Sequence, residues 1–275
     1  MMVGGVRGGI LDGHVVVVTG GGSGMGAAFA RRLASDGAHV VVNDVNEAGA
    51  GAVAEEVGGE TAVFDVTDSA AFDAAIDRIV AHHGRLDVLI NNAGIAPPRD
   101  EERTALNIQN QMKRMEGRFD EVVPVDFTVG LSDEQWDRMI KVHLYGAFYG
   151  TRAALRHMTP QRRGSVINIS SILGLRPSAG ALHYSAAKAA IIALTKSCAQ
   201  EVAAFGVRVN AVCPGWVDTP LLAPFDEITR AAIVMQTPIA RMARPEELAE
   251  VIRFLAGPES SYCVGEVFPV SGGWV

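Results

Sequence analysis

With 275 residues and 48% hydrophobic composition, the chain can bury a substantial core, and its length suits one large α/β domain or two small ones. A net charge of −7 with no basic stripe argues against nucleic acid as a partner. Cys198, Cys213 and Cys263 are widely spaced with no C-x-x-C pair, and no apolar run approaches about 18 residues, so a reducing cytoplasm is expected, without disulfides, export or membrane attachment.

In chain order, short β-branched runs at 14–19, 39–43, 61–66, 86–91, 165–170, 207–212 and 266–270 predict seven strands. Ala-rich amphipathic segments between them, such as 24–36 and 70–83, predict helices on both faces of a parallel sheet. This is a doubly wound Rossmann-type α/β fold, and its ligand crevice is expected outside the carboxyl ends of the strands. No composition break divides the chain, so a flexible tail at 1–13 followed by a single domain at 14–275 is expected.

Directly after the first predicted strand stands "TGGGSGMG", Thr19 to Gly26. Glycines opening a helix let a phosphate approach backbone N–H groups at its positive end. Gly20, Gly22, Ser23, Gly24, Met25 and Gly26 are therefore candidate cofactor contacts. Asp44, at the end of the second strand and about 20 residues on, suits an adenosine ribose diol and repels a 2′-phosphate. No Arg or Lys sits in the turn or just after Asp44, so NAD(H) is expected over NADP(H).

"NNAG", Asn91 to Gly94, closes the fourth strand, with structural and binding roles equally open for Asn91. The charged stretch from Pro97 to Phe127 is longer than an ordinary βα connection. It reads either as a surface excursion with one solvated helix near 101–115 or as a lid over the substrate. His82 and His83 end a helix before Gly84, and no third ligand stands at metal spacing, so no metal is expected.

"HYSAAKAAI" places Tyr184 and Lys188 one helical turn apart. A nearby ammonium favours the ionised phenol, bringing a poor acid or base toward the working range. Ser170 or Ser171 in "NISSILG" could hydrogen-bond a substrate oxygen while Tyr184 exchanges its proton. Taken alone, the pair is also what two snorkelling side chains look like.

"TGGGSGMG", "NNAG", "INISS", "YSAAK" and "NAVCPGWVDT", in this order, resemble the short-chain dehydrogenase/reductase family in its branch of about 250 residues, from His14 to Gly273. The resemblance implies hydride transfer between a nicotinamide and a secondary alcohol or ketone. It makes Tyr184 the general acid/base and has Lys188 lower the phenol pKa and bind the nicotinamide ribose. It selects Ser171, thirteen residues before Tyr184. It sets Asp65 and Val66 at the adenine, Asn92, Ala93 and Gly94 at the ribose side, and Val217 and Thr219, after Pro214 and Gly215, at the carboxamide.

The family usually carries an asparagine that helps hold a relay water, where this chain has His143, whose imidazole can also donate and accept. The segment 219–244 is expected to cover an apolar or acyl-like substrate. A 3-oxoacyl thioester comes first, with Arg99, Arg103, Lys113, Arg114 and Arg118 available to a pantetheine or coenzyme A phosphate, and a steroid or terpenoid alcohol second. A catalytically silent dinucleotide sensor is the non-enzyme alternative, and a homo-tetramer or homo-dimer is expected by analogy.

Overall fold

The computed structural model describes residues 9–97, 100–223 and 225–274. Seven strands form one wholly parallel sheet: β1 (Val15–Thr19), β2 (His39–Asn43), β3 (Glu60–Thr61), β4 (Val88–Asn91), β5 (Gly164–Ile169), β6 (Val207–Pro214) and β7 (Val267–Val270). Their order is β3-β2-β1-β4-β5-β6-β7. The chain runs outward from β1 to β3, returns to place β4 on the other side of β1, and continues to β7. The direction of travel reverses between β1 and β4, where a crevice opens at the carboxyl ends.

The four valines of β1 show why both faces are covered. Val16 and Val18 pack with Phe29 and Leu33 of α1 (Gly24–Ser35) and with Leu248, Ile252 and Leu255 of α10 (Pro245–Ala256). Val15 and Val17 point the other way, toward Phe72 and Ile76 of α3 (Ser69–His83) and Met158 of α6 (Gly146–Gln161). Side chains alternate across a strand, so an uninterrupted apolar run supplies two cores at once.

The remaining helices are α2 (Glu47–Val57), α4 (Glu101–Met115), α5 (Asp133–Ile140), the short α7 (Ile172–Leu175), α8 (Leu182–Val202) and α9 (Glu227–Gln236). Asn46 and Asp68 cap α2 and α3 by accepting from Gly49 N (3.1 Å) and Ala71 N (3.0 Å). Gly58 and Gly84 end the same helices in the left-handed conformation.

Two expectations need correction. The third strand is two residues long rather than 61–66, because β2 ends at Asn43, whose side-chain amide donates to Ala62 O (2.8 Å) and Phe64 O (3.0 Å). A side chain takes over where the backbone ladder stops. Residues 9–13, expected in the flexible tail, are anchored through Leu11, which is fully buried and whose N–H donates to Asp36 O (3.0 Å). Residues 1–8 of that tail lie outside the described residues.

Candidate active site

The crevice has a volume of about 1290 Å³ and collects loops from the carboxyl ends of β1, β2, β4, β5 and β6. On its floor at the β1 end, α1 begins without a side-chain cap on Ser23, so first-turn N–H groups face the crevice at the positive end of the helix. A Cβ on Gly26 would overlap the carbonyl oxygen of Gly20, which is why this turn needs glycine. Gly20, Ser23, Gly24, Met25 and Gly26 line the crevice, and Gly22 does not. Gly22 instead donates its N–H to Asp44 Oδ2 (3.0 Å), while Asn46 N–H donates to Oδ1 (3.0 Å), so the backbone holds the carboxylate at the crevice edge. Asp65 and buried Val66 continue this wall. Such a cradle, with helix N–H groups below and an oriented acid at one end, fits the diphosphate and ribose of a dinucleotide.

Thr19 was not singled out from the sequence, yet it organises the turn. Its hydroxyl donates to Ile90 O (3.2 Å) and accepts from Asn92 N (3.0 Å) and Ala93 N (3.1 Å). The Asn92 amide donates to Thr19 O (2.9 Å) and Gly20 O (3.1 Å), tying the glycine turn to β4. Asn91 points inward to Asn168 Oδ1 (2.8 Å) and Thr151 Oγ1 (3.2 Å), which makes it a structural residue.

The two serines after β5 separate clearly. Ser170 Oγ donates to Lys188 O (2.7 Å), a bond that holds α8 against β5. Ser171 Oγ accepts from Leu173 N (3.1 Å) and hydrogen-bonds with Tyr184. Lys188 is buried, donates from Nζ to Ile169 O (2.8 Å) and lies 5.6 Å from the centroid of the Tyr184 ring.

Burial raises the Tyr184 pKa above its ordinary value, the Ser171 hydrogen bond opposes the rise, and buried Cys213 adds to it. Lys188 stands over the ring face with its Nζ turned to the Ile169 carbonyl. Its own burial brings its pKa down to about 7.

His143 lies in a π-helical turn, Lys141–Tyr145, between α5 and α6, a local widening that sequence periodicity does not reveal. Its ring stands edge-on to Tyr184 with centroids 5.2 Å apart. Nε2 is 2.9 Å from Ile95 O and 3.2 Å from Ile95 N, whose N–H points at it, so the Ile95 backbone holds this edge of the ring. Burial, followed by the Lys188 charge, holds its pKa well below the ordinary value, so the ring is neutral at neutral pH. Nδ1 is buried and unpartnered. A cavity of about 10 Å³ lies between His143, Lys188 and Asn91.

His183 was also overlooked, although it directly precedes Tyr184. It lines the crevice, is buried, and both ring nitrogens are unpartnered. Pro214, Gly215, Val217 and Thr219 line the crevice after β6, and Leu221, Leu222 and Phe225 form an apolar wall with Trp216, whose ring centroid is 6.2 Å from that of Phe225. Of the basic residues expected to meet a phosphate, Arg103 lines the crevice. Lys113 instead donates to Glu121 O (2.8 Å), and Arg118 pairs with Glu116 (3.0 Å) and Glu121 (3.7 Å). Neither they nor Arg114 line it: Arg114 shares a helix face with Arg103 but lies three turns farther along α4, and Arg118 follows the end of the helix; Arg99 lies outside the described residues.

The model of the short chain dehydrogenase family matches residues 14–229. The 3-oxoacyl-[acyl-carrier-protein] reductase FabG of Thermotoga maritima is 35% identical over 270 residues, covering 96% of this chain and 99% of that protein. The cis-4-hydroxycyclohexanecarboxylate dehydrogenase of Sinomonas cyclohexanicum is 43% identical over 266 residues, covering 95% and 96%. A crystal structure described as ribose-5-phosphate isomerase from Brucella melitensis 16M superposes with a TM-score of 0.82 at 34% identity, covering 96% of this chain and 92% of that one. With the dinucleotide cradle and the Ser171, Tyr184 and Lys188 cluster in one crevice, the chain belongs to the short-chain dehydrogenase family, as an oxidoreductase acting on alcohol or keto groups with a nicotinamide dinucleotide.

Proposed function

We propose an NAD(H)-dependent oxidoreductase that interconverts a secondary alcohol and a ketone, with a 3-oxoacyl thioester as the preferred substrate class. The observation that carries the chemistry is the meeting of Ser171 and Tyr184 hydroxyls beside Lys188 on the crevice floor. Bound in the cradle, the dinucleotide supplies or accepts the hydride. Ser171 and Tyr184 hold the substrate oxygen, and Tyr184 gives it a proton in reduction or takes one in oxidation. Gly20, Ser23, Gly24, Met25 and Gly26 carry the diphosphate, Asp44 the ribose diol, and Asp65 with Val66 the adenine. Asn92, Ala93 and Gly94 flank the ribose, while Pro214, Gly215, Val217 and Thr219 hold the carboxamide. Gly22 acts through Asp44.

His143 is a positioning residue in the proton path. Its bare Nδ1 and the unpartnered Asn91 Oδ1 adjoin a cavity about large enough for one water near Lys188. NAD(H) is preferred because Asp44 is held by two backbone N–H groups where a 2′-phosphate would sit, with no cation beside it in the crevice lining. The apolar wall of Leu221, Leu222 and Phe225 suits an acyl chain.

Arg103 in the crevice lining favours a second reading, a cyclic hydroxy acid whose carboxylate it pairs, in line with the name of the Sinomonas relative. Half-exposed Tyr145 and Phe148 on the helices before and within α6 support assembly into a homo-oligomer. The three free cysteines agree with a reducing cytoplasm, and among the described residues no helix is long and apolar enough to cross a membrane.

The test follows nicotinamide absorbance with 3-oxoacyl thioesters, cis-4-hydroxycyclohexanecarboxylate and steroid alcohols, each with NAD(H) and NADP(H). Turnover of thioesters with NAD(H) is expected. Faster turnover with NADP(H) would overturn the cofactor assignment, and exclusive use of the cyclic acid would overturn the thioester.

A further inference from the structure

The opposite end of the sheet carries a second cluster that the oxidoreductase chemistry does not use. His39 begins β2, Glu60 begins β3, and His82 and His83 end α3, so the fold gathers them at the amino ends of the strands, away from the crevice. His39 Nε2 lies 3.0 Å and His83 Nε2 3.4 Å from Glu60 Oε1, and the two imidazole centroids are 4.5 Å apart. Despite these distances neither contact has hydrogen-bond geometry, and both Nε2 atoms are buried and unpartnered. Three mutually close donor atoms at ion-pair distance, with no hydrogen bonds among them, are what ligands around a cation look like.

We propose that His39, Glu60 and His83 form a zinc-class divalent metal site, with solvent completing the coordination. One donor atom from each of the three lies within 4.8 Å of the others. Three such atoms always share a point no more than about 2.8 Å from each, and sub-ångström side-chain shifts bring that to the roughly 2.0–2.2 Å of zinc–nitrogen and zinc–oxygen bonds. The tetrahedral edge for those bonds is about 3.3 Å, close to the two contacts with Glu60. Imidazoles with one carboxylate select zinc and its neighbours over magnesium or calcium, which demand more oxygen ligands. Sequence spacing around His82 and His83 offers no third ligand, because His39 and Glu60 stand 43 and 22 residues before His82 and come to it only through β2 and β3.

The site clamps a weak point. The ladder of β3 with β2 is two residue pairs long, and the chain leaving β3 leads directly to Asp65 and Val66 of the crevice. A metal joining β2, β3 and α3 fixes this edge strand at its start.

The full chain, dialysed against a chelator, is titrated with zinc in competition with a chromophoric indicator at pH 7.5. One equivalent is expected to bind, with a rise in melting temperature on binding. Glu60→Gln and His83→Gln are each expected to weaken binding at least about tenfold. His157→Gln, a surface histidine beside Asp77, is expected to leave it unchanged. Cobalt on the parent chain gives a fold-independent check through the intense visible bands of tetrahedral coordination. No stoichiometric binding by the parent chain, equal weakening by His157→Gln, or only the pale octahedral cobalt spectrum would each overturn the site and leave an ordinary imidazole–carboxylate contact.

Discussion

Lys188→Met separates what the buried ammonium does for catalysis from what it costs the fold. The lysine is buried, keeps one hydrogen bond, to Ile169 O, and has its pKa brought from 10.5 to about 7. Because the folded pKa lies below the unfolded one, the unfolded chain binds more protons between about pH 7 and 10.5, so stability climbs with pH across that window. At about 1.4 kcal/mol per unit, the charge costs the fold about 4 kcal/mol at pH 7 and about 2 kcal/mol at pH 9. Methionine keeps the length of the side chain, and losing the hydrogen bond to Ile169 O returns about 1 kcal/mol. The net gain is about 3 kcal/mol at pH 7 and about 1 kcal/mol at pH 9, or about 6–12 °C and about 2–4 °C in melting temperature. Thermal melts of both proteins at pH 6.5, 7, 8 and 9 without nicotinamide measure it, while turnover is expected to fall at least about 100-fold. A variant no more stable than the parent at pH 7, or a gain that does not shrink toward pH 9, would refute the reasoning.

Tyr184→Phe should lower kcat by about 10²–10⁴-fold while leaving NADH binding within about twofold, checked by steady-state kinetics and fluorescence titration. Because burial raises the phenol pKa, alcohol oxidation should accelerate as pH rises into the alkaline range, and the reverse reaction should not, in initial rates measured from pH 6 to 10. Asp44→Asn should cut kcat/KM for NAD about 10–100-fold and improve NADP, since a charge-assisted bond to the ribose is worth about 1.5–3 kcal/mol; an unchanged ratio would remove Asp44 from cofactor choice. Gly94→Ala should destabilise by about 1–3 kcal/mol in denaturant titration, because its Cβ would sit 2.6 Å from His143 Cε1. Arg103→Ala should raise KM for a thioester or a hydroxy acid but not for a small neutral ketone, and equal effects would deny it a role in anion recognition.

Local sequence carried the strands, the long helices and the order of the motifs. Four successive valines in β1 can serve no surface strand, and glycines between a strand and an amphipathic helix leave few structures to choose from. The helix at 101–115 was one of two readings of its charged, β-branch-poor run, and the structure shows it capped by Asp100. The third strand was misread because its pattern continues past the point where Asn43 replaces backbone as the partner.

Spacing of four residues put Tyr184 and Lys188 on one helix face, while the choice of Ser171 over Ser170 came from the family resemblance. The electrostatics follow from neither. How far each group is shifted depends on where Nζ points and how much water remains, and the fold turned Nζ to Ile169 O and buried Lys188. The same holds for Lys113 and Arg118, which composition offered to a phosphate and α4 directed to Glu121 and its neighbours. It holds for His39, Glu60 and His83, distant in sequence and joined at one sheet edge. Periodicity and spacing report neighbours within a turn or a strand; burial, direction and contacts between distant segments arise only when the sheet closes, and these decide charge, partner and pKa.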